Sequence, residues 1–287
     1  MELLGLDVGA TWVIGVVVDD DGTVLRHARR DGALRDTLDA VRVELRGPTT
    51  FAAAGVATDV ALDEHGSDVA AASHGIHRCS PGAAAVSAEA WVGAARNAQH
   101  AVCLWIGDRV LAASLLNGRP WLGAHGLAGD AAWLALNPVE RQDYRKYGNL
   151  AAEVSNTGIA RRLAWRIQAG DHSVVLEHAG DLEAITAEHV FDGARAGDGV
   201  AISVVRDSAR YIGMAVVNIV TVLDPEVIVL GGPMVSARDL LLEPVRQECQ
   251  RRLPPAMASS LRIEISPLAE HGIAIGAASL ALAARQP

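Results

Sequence analysis

The first residues able to do chemistry are Asp7-Val8-Gly9-Ala10-Thr11, a polar turn between two apolar runs. Gly9 would let the backbone approach a phosphate, and the Thr11 hydroxyl and nearby amides could donate hydrogen bonds to it. The carboxylate of Asp7 can hold Mg²⁺ through water, because this ion prefers oxygen ligands and keeps part of its hydration shell. An ordinary β-turn with a capped aspartate explains these five residues equally well.

A second stretch, EVIVLGG at 226–232, is a short apolar run that ends in Gly231 and Gly232. In open α/β sheets, ligands bind at the carboxyl ends of strands, and two glycines there expose bare backbone. The stretch therefore predicts a ligand site, and a strand-to-helix turn without a ligand is the competing interpretation.

Strands and helices that alternate along the chain must position these residues. The acid-glycine turn at 19–22 predicts a hairpin. Strands are predicted at 3–8, 12–18, 51–62, 101–107, 110–118 and 226–232, and helices at 33–46, 83–96, 155–169, 186–195, 201–223 and 272–285. The stretch 123–150 is rich in turns and is expected to be irregular.

The alternation in each half predicts two α/β domains with a cleft between them. We expect a smaller domain, 1–98 with the C-terminal helix 270–287, and a larger one, 99–269. The chain of 287 residues is long enough for two cores.

Composition and charge exclude several classes of protein. Half of the residues are hydrophobic, which argues against disorder, but no apolar run reaches the roughly 18 residues of a membrane span. A net charge of −9 argues against nucleic acid as a partner. No basic segment precedes the first strand, and the three cysteines (Cys79, Cys103 and Cys249) are too far apart for a disulfide framework. We therefore expect a cytoplasmic protein with reduced thiols.

In order and spacing, these stretches resemble the ROK family, which includes bacterial glucokinases, other sugar kinases and sugar-responsive repressors. LLNGRPWLGAHGLAGDAAW (115–133) is similar to the family's sugar-site pattern NGxxxxGxxGxAGExGH. Residues 185–198, 204–232 and 268–282 also resemble family sequence. The resemblance implies the α/β, two-domain actin-like ATPase (ribonuclease H-like) fold, hinged around nucleotide and sugar.

The resemblance also implies ligands and a set of contact residues. ATP with Mg²⁺ is the implied cofactor, a sugar is the implied small-molecule ligand, and a homodimer is expected. The implied nucleotide site contains Asp7, Gly9, Thr11, Gly107, Gly231 and Gly232, with Asp7 on Mg²⁺ through water; the implied sugar site contains Gly126, Asp130 and Trp133.

The chain departs from the family where the catalytic base should be. Family kinases use a carboxylate on the sugar hydroxyl, in a motif close to ENDANAAALGE. Aligned on EAWVGAA (89–95), this chain reads CSPGAAAVSAE (79–89), which puts Pro81 at the aspartate position. Proline accepts no proton, and general-base catalysis is worth about 10²–10⁴-fold. Asp59, Glu89 and Asp130 are the candidates for a relocated base. A strand-end cap is the favoured interpretation of Asp59, and a solvated helix position is the favoured interpretation of Glu89.

Two further family segments differ. The second phosphate loop, LGTGIGGG in the family, here reads IGDRVLAA (106–113), so only Gly107 remains. Asp108 replaces a threonine that faces phosphate, and a carboxylate about 4 Å from a phosphate costs roughly 4 kcal/mol at an effective dielectric near 20. The zinc motif CxCGxxGC corresponds to RKYGNLAA (145–152), with Arg145, Tyr147 and Ala152 at the cysteine positions, so no structural zinc is expected.

The sugar segment differs at two positions. Asp130 replaces a glutamate, and Trp133 replaces a histidine that would touch sugar or hold zinc. Trp133 could stack on a pyranose face, and a place in the core is the favoured alternative.

These departures predict a pseudokinase, a ROK-type protein that binds sugar, nucleotide or both in the cleft and has lost efficient phosphoryl transfer. An active ATP-dependent hexose kinase of the glucose type, with a relocated base, is the alternative, because phosphoryl transfer depends mainly on positioning and charge stabilisation. A purely structural role through a dimer surface is the third possibility.

Overall fold

A computed structural model describes residues 1–46, 50–59 and 76–285. The strands are β1 (Leu3–Val8), β2 (Trp12–Val18), β3 (Val24–Asp31), β4 (Ala53–Thr58), β5 (Ile76–Cys79), β6 (Ala101–Ile106), β7 (Val110–Leu116), β8 (Arg119–Trp121), β9 (Val227–Gly231) and β10 (Ile263–Ile265). The helices are α1 (Leu34–Leu45), α2 (Pro81–Trp91), α3 (Gln142–Tyr147), α4 (Asn149–Val154), α5 (Asn156–Gln168), α6 (Val175–Ala179), α7 (Ala187–Arg195), α8 (Gly199–Leu223), α9 (Arg238–Arg252), α10 (Pro255–Ser260) and α11 (Gly272–Ala283). Short 3₁₀ helices cover Ala131–Trp133, Pro233–Ala237 and Ala269–His271.

The strands form two mixed sheets, in the orders β3-β2-β1-β4-β5 and β10-β9-β6-β7-β8. In the first sheet, β1 pairs antiparallel with β2 and parallel with β4, and β5 continues parallel to β4. In the second sheet, β9 and β10 are parallel and β7 and β8 form an antiparallel hairpin.

Both faces of the first sheet are covered, which explains why β1 is buried along its whole length. On one face, α1 contributes the apolar side chains Leu38, Val41 and Leu45, at helical spacing. On the other face lie α2 and α11, with Ala88 and Ile275 among the buried residues.

Helix α11 packs against its neighbours at backbone contact. A side-chain carbon placed on Gly276 would overlap the carbonyl oxygen of Ala84 in α2. On the sheet side, carbons placed on Gly5 and Gly55 would overlap carbonyl oxygens of α11 itself. Because these three glycines have no side chains, the first sheet, α11 and α2 pack at backbone contact, with no room for a further atom.

Most of the predicted elements are confirmed. The strands 3–8 and 12–18 form as predicted, the hairpin turn at 19–22 leads into β3, and the buried C-terminal helix is α11. The predicted strand 51–62 is β4 as far as Thr58, and its last residues, 60–62, lie outside the described part of the chain.

Two expectations about the elements are wrong. The stretch 123–150 contains α3 and the start of α4 rather than irregular structure alone. The alanine-rich helix ends at Trp91 instead of 96, because the Glu89 carboxylate accepts the Ala94 N–H at 2.9 Å and this bond competes with a further helical turn.

Contact density divides the chain into two compact units. The first contains residues 1–103, 113–129 and 266–287, and the second contains 104–112 and 130–265. The domain limits proposed from the sequence stay a prediction. Within the described ranges, none of the helices has the length and apolar character needed to cross a membrane.

Candidate functional site

The Asp7–Thr11 turn joins β1 to β2. Asp7 is buried, with 1% of its surface exposed, whereas Thr11 is exposed. The N–H of Gly9 donates to the Trp12 carbonyl at 2.9 Å, and a side-chain carbon on Gly9 would lie 2.6 Å from the indole Nε1 of Trp12. Packing against Trp12 therefore accounts for the glycine without any ligand.

Neighbouring strand ends bring other candidate residues beside this turn. Because β1 and β4 are parallel and in register, Thr58 lies next to Val8, and the Thr58 hydroxyl donates to the Val8 carbonyl at 3.1 Å. Asp59 follows directly and is exposed. At the end of β5, burial and then the Asp7 carboxylate raise the pKa of the Cys79 thiol to about 12. One edge of the first sheet thus gathers Asp7, Asp59 and the beginning of α2.

Helix α2 begins at this edge with a serine cap and a proline. Ser80 is the N-cap, and its side chain accepts the Ala83 N–H at 3.2 Å. Pro81 occupies the first helical position and is buried, a position that proline favours because no hydrogen bond to its nitrogen is needed there. Neither side chain carries a carboxylate.

Glu89 lies on the same helix, and the expectation that it is solvated is wrong. The carboxylate is 1% exposed; one oxygen accepts the Ser266 hydroxyl at 2.5 Å and the other accepts the Ala94 N–H. Burial raises the pKa of Glu89, although both hydrogen bonds oppose the rise. With both oxygens engaged inside the fold, Glu89 serves packing rather than proton transfer.

The second unit carries the other glycines. Gly232 has φ +87°, and a side-chain carbon there would lie 2.5 Å from the Ile106 carbonyl oxygen. A side-chain carbon on Gly107 would lie 2.8 Å from the Pro233 ring. The structure therefore brings the end of β6 and the end of β9 together, so that Gly107 is adjacent to the Gly231-Gly232 pair. Asp108 is exposed.

The predicted sugar residues are all exposed; Gly126 and Asp130 lie outside regular elements and Trp133 lies in a 3₁₀ helix. Gly126, in the first unit, has φ +72° and open space where a side chain would be. Asp130, in the second unit, is exposed and precedes the 3₁₀ helix 131–133. Trp133 is 56% exposed, so the expectation that it fills the core is wrong. The exposed indole therefore does not pack in the core as the sequence analysis had favoured.

The sequence of this chain is similar to proteins of one known family. The ROK family profile matches residues 82–284. The chain belongs to the ROK family. A glucokinase of Halalkalibacterium halodurans is 31% identical over 190 residues, which span 66% of this chain and 58% of that protein. A glucokinase of Thermotoga maritima is 25% identical over 98% of this chain and 97% of that protein.

A solved ROK family glucokinase from Streptomyces griseus, in complex with glucose and AMPPNP, has the same fold. It superimposes with a TM-score of 0.86 at 19% identity, over 99% of this chain and 100% of that one. The predicted fold class, the α/β actin-like ATPase fold of ROK sugar kinases, is confirmed. The ligand roles of single residues and the loss of the catalytic aspartate stay predictions.

In this ROK protein, a polar network holds residues 145–152, the segment that the sequence pattern aligns with the family's zinc motif. Buried Glu153 accepts hydrogen bonds from Arg141 at 2.6 Å and Tyr144 at 2.5 Å and pairs with Arg162 at 3.1 Å. The guanidinium of half-buried Arg161 lies 4.5 Å from the ring centre of Tyr147. Charge-assisted bonds and cation–π contacts thus fix α3 and α4 in place.

Sequence reasoning missed two side chains that matter for this ROK fold, Glu89 and Arg195. Glu89 had a detectable signal, because its neighbours one helical turn away, Ala85, Val86 and Gly93, are small or apolar, which is typical of a buried face. Arg195 carried no such signal, since its partners Ser236 and Asp239 lie about 40 residues further along the chain.

Proposed function

We propose that this ROK protein binds a hexose and MgATP and transfers the phosphoryl group poorly. The beginning of α2 carries this proposal. Ser80 caps the helix and Pro81 occupies its first turn, so the segment aligned with the family's base motif has no proton acceptor at that point. Loss of a general base costs about 10²–10⁴-fold in rate and leaves ligand binding in place.

The donors at the edge of the first sheet suit Mg²⁺. Mg²⁺ is usually held by one or two carboxylates together with waters and phosphate oxygens. Asp7 offers a buried carboxylate and Asp59 an exposed one at adjacent strand ends, and oxygen donors of this kind favour Mg²⁺ over zinc. Bound Mg²⁺ would neutralise phosphate charge, while Asp7 would orient the ion's water shell.

The first experiment is a calorimetric titration of MgATP with and without glucose, together with an assay of glucose-dependent ADP formation. We expect saturable nucleotide binding and weak turnover. Pro81→Asp should raise turnover roughly tenfold or more above Pro81→Asn, because both fit a helix start and only aspartate is a base. Absence of binding at millimolar MgATP would refute the proposal.

A second candidate is a working hexose kinase in which Asp59 replaces the missing base. This carboxylate is exposed and follows the strand that runs beside β1, next to the proposed Mg²⁺ ligand. Fast wild-type turnover that Asp59→Asn abolishes, with MgATP affinity unchanged, would favour this candidate. Equal turnover in the variant would exclude it.

A further inference from the structure

After β9 the chain turns a corner, and the end of β6 contacts this corner on one side. This corner segment, residues 232–239, contains Gly232, the 3₁₀ helix Pro233–Ala237 and the first residues of α9. Its contacts with β6 are made by backbone and ring atoms: Gly232 lies on the Ile106 carbonyl, and Pro233 lies against Gly107.

The N-cap side chains of the corner segment make no capping bonds. Among the described residues, neither the 3₁₀ helix nor α9 receives a hydrogen bond from its N-cap side chain, because glycine and alanine occupy those positions. The Asp239 carboxylate instead accepts backbone N–H groups of Asp239 and Leu240 in the first turn of α9. An element that holds this carboxylate would therefore orient the corner segment.

Arg195, in the last turn of α7, is that element. Its Nε and Nη2 donate to the two carboxylate oxygens of Asp239 at 2.9 and 2.8 Å, and Nη2 also donates to the Ser236 carbonyl at 2.8 Å. Nη1 donates to Asp192 at 3.0 Å, which fixes the guanidinium on its own helix. The planar guanidinium thus ties α7 to two points of the corner segment at once, with a fixed bidentate geometry that a lysine ammonium lacks.

We propose that Arg195 is a positioning residue for nucleotide binding: it holds the corner segment so that Gly107, Gly231 and Gly232 present their backbone to the ligand. This inference rests on the proposed function, since it assigns the nucleotide to those glycines. Arg195 acts through the segment and touches no reacting atom.

The partly exposed pair of Arg195 and Asp239 should affect the local order of the corner segment more than the stability of the whole protein. Arg195 and Asp239 are 37% and 54% exposed, so solvent screens their attraction and little of the unfolding free energy depends on it. The hydrogen bonds from Arg195, and then its charge, lower the pKa of Asp239, as expected of a formed bidentate pair. A variant should therefore stay folded while the corner segment becomes mobile.

The test compares Arg195→Gln and Arg195→Lys with a matched control, Arg210→Gln. Arg210 is also exposed and pairs with an aspartate three residues away, at 3.4 Å, outside the corner segment. Amide hydrogen exchange is measured over residues 232–239 without ligand, and MgATP and glucose affinities are measured by calorimetry. We expect faster exchange in Arg195→Gln and an MgATP Kd raised about tenfold, the lower end of what loss of an orienting residue costs. Glucose affinity should not change, and lysine should restore only part of the loss.

The outcomes separate this inference from the proposed function. Unchanged exchange over 232–239 in Arg195→Gln would overturn the positioning role, whether or not the wild type binds MgATP. An equal loss of MgATP affinity in Arg210→Gln would also overturn it. A wild type that binds no MgATP would refute the proposed function and the nucleotide part of this inference, and exchange would still report whether Arg195 holds the segment.

Discussion

Replacing Gly276 by alanine tests whether the layer of strands and helices in the first unit is as tight as the structure describes. The added methyl would overlap the Ala84 carbonyl oxygen and lie within 3 Å of the Ala84 Cα. Helix α11 has no room to retreat, because its own carbonyl groups already lie where Gly5 and Gly55 leave space on the sheet. Main-chain atoms on both sides must therefore move.

The size of the effect follows from two opposing contributions. Overpacking costs about 1–3 kcal/mol when side chains adjust, and a main-chain partner places this site near the upper limit. Alanine is better than glycine inside a helix by about 1 kcal/mol, which offsets part of the loss. The net loss of unfolding free energy is about 2 kcal/mol, or a fall of about 4–8 °C in Tm at about 2–4 °C per kcal/mol.

The measurement is urea and thermal unfolding followed by circular dichroism, with Gly199→Ala as the control. Gly199 is also in a helix, at the start of α8, and a side-chain carbon there would meet no described atom within 4 Å. The control gains the helix preference without the clash, so it should be neutral or slightly stabilising. If Gly276→Ala were as stable as Gly199→Ala, the tight packing of α11 would be refuted.

Three further predictions test individual side chains. Because burial raises the folded-state pKa of Glu89, the folded protein binds more protons just above pH 4.5 than the unfolded chain does. The free energy of unfolding of the wild type should therefore fall as pH rises through that raised pKa. Urea midpoints of Glu89→Gln should lack this dependence on pH. Glu153→Ala removes the buried carboxylate that pairs with Arg141 and Arg162, and among the described residues the one ion pair that Arg162 keeps is that with Asp207 at 3.4 Å; the change should cost about 3 kcal/mol in unfolding free energy, measured in urea. Trp133→Ala should change stability by less than about 0.5 kcal/mol, because the ring is exposed, and should weaken glucose binding in calorimetry if the indole stacks on sugar.

The sequence predicted elements correctly where a short stretch determines its own conformation. The runs before and after Gly9 predicted β1 and β2 to the residue, because two continuous apolar runs separated by a short polar turn are a local signal of buried strands. The family patterns extended this to the whole fold. The roles of single residues were harder to predict, since they depend on partners far away in the chain.

The errors show which physical information was missing. Helices α3 and α4 lack a strong apolar period and are held by the Glu153 network, which no local window shows. Glu89 was expected in solvent because glutamate is rarely buried without a partner, and its partner Ser266 is 177 residues away. Trp133 was assigned to the core because a tryptophan beside a lost metal site more often fills a core than binds a ligand.

The seating of α11 on the first strands has a consequence for how the chain folds during synthesis. Ala274 and Ile275 complete the side of the core that contains Leu3 and Gly5, and they are made about 270 residues after these strand residues. Contacts so distant in sequence slow folding, and until they form the apolar face of the nascent sheet lacks α11 as its cover. The β1–β2 hairpin must therefore wait, partly exposed, for α11, and this interval is where we expect the nascent chain to depend most on chaperones.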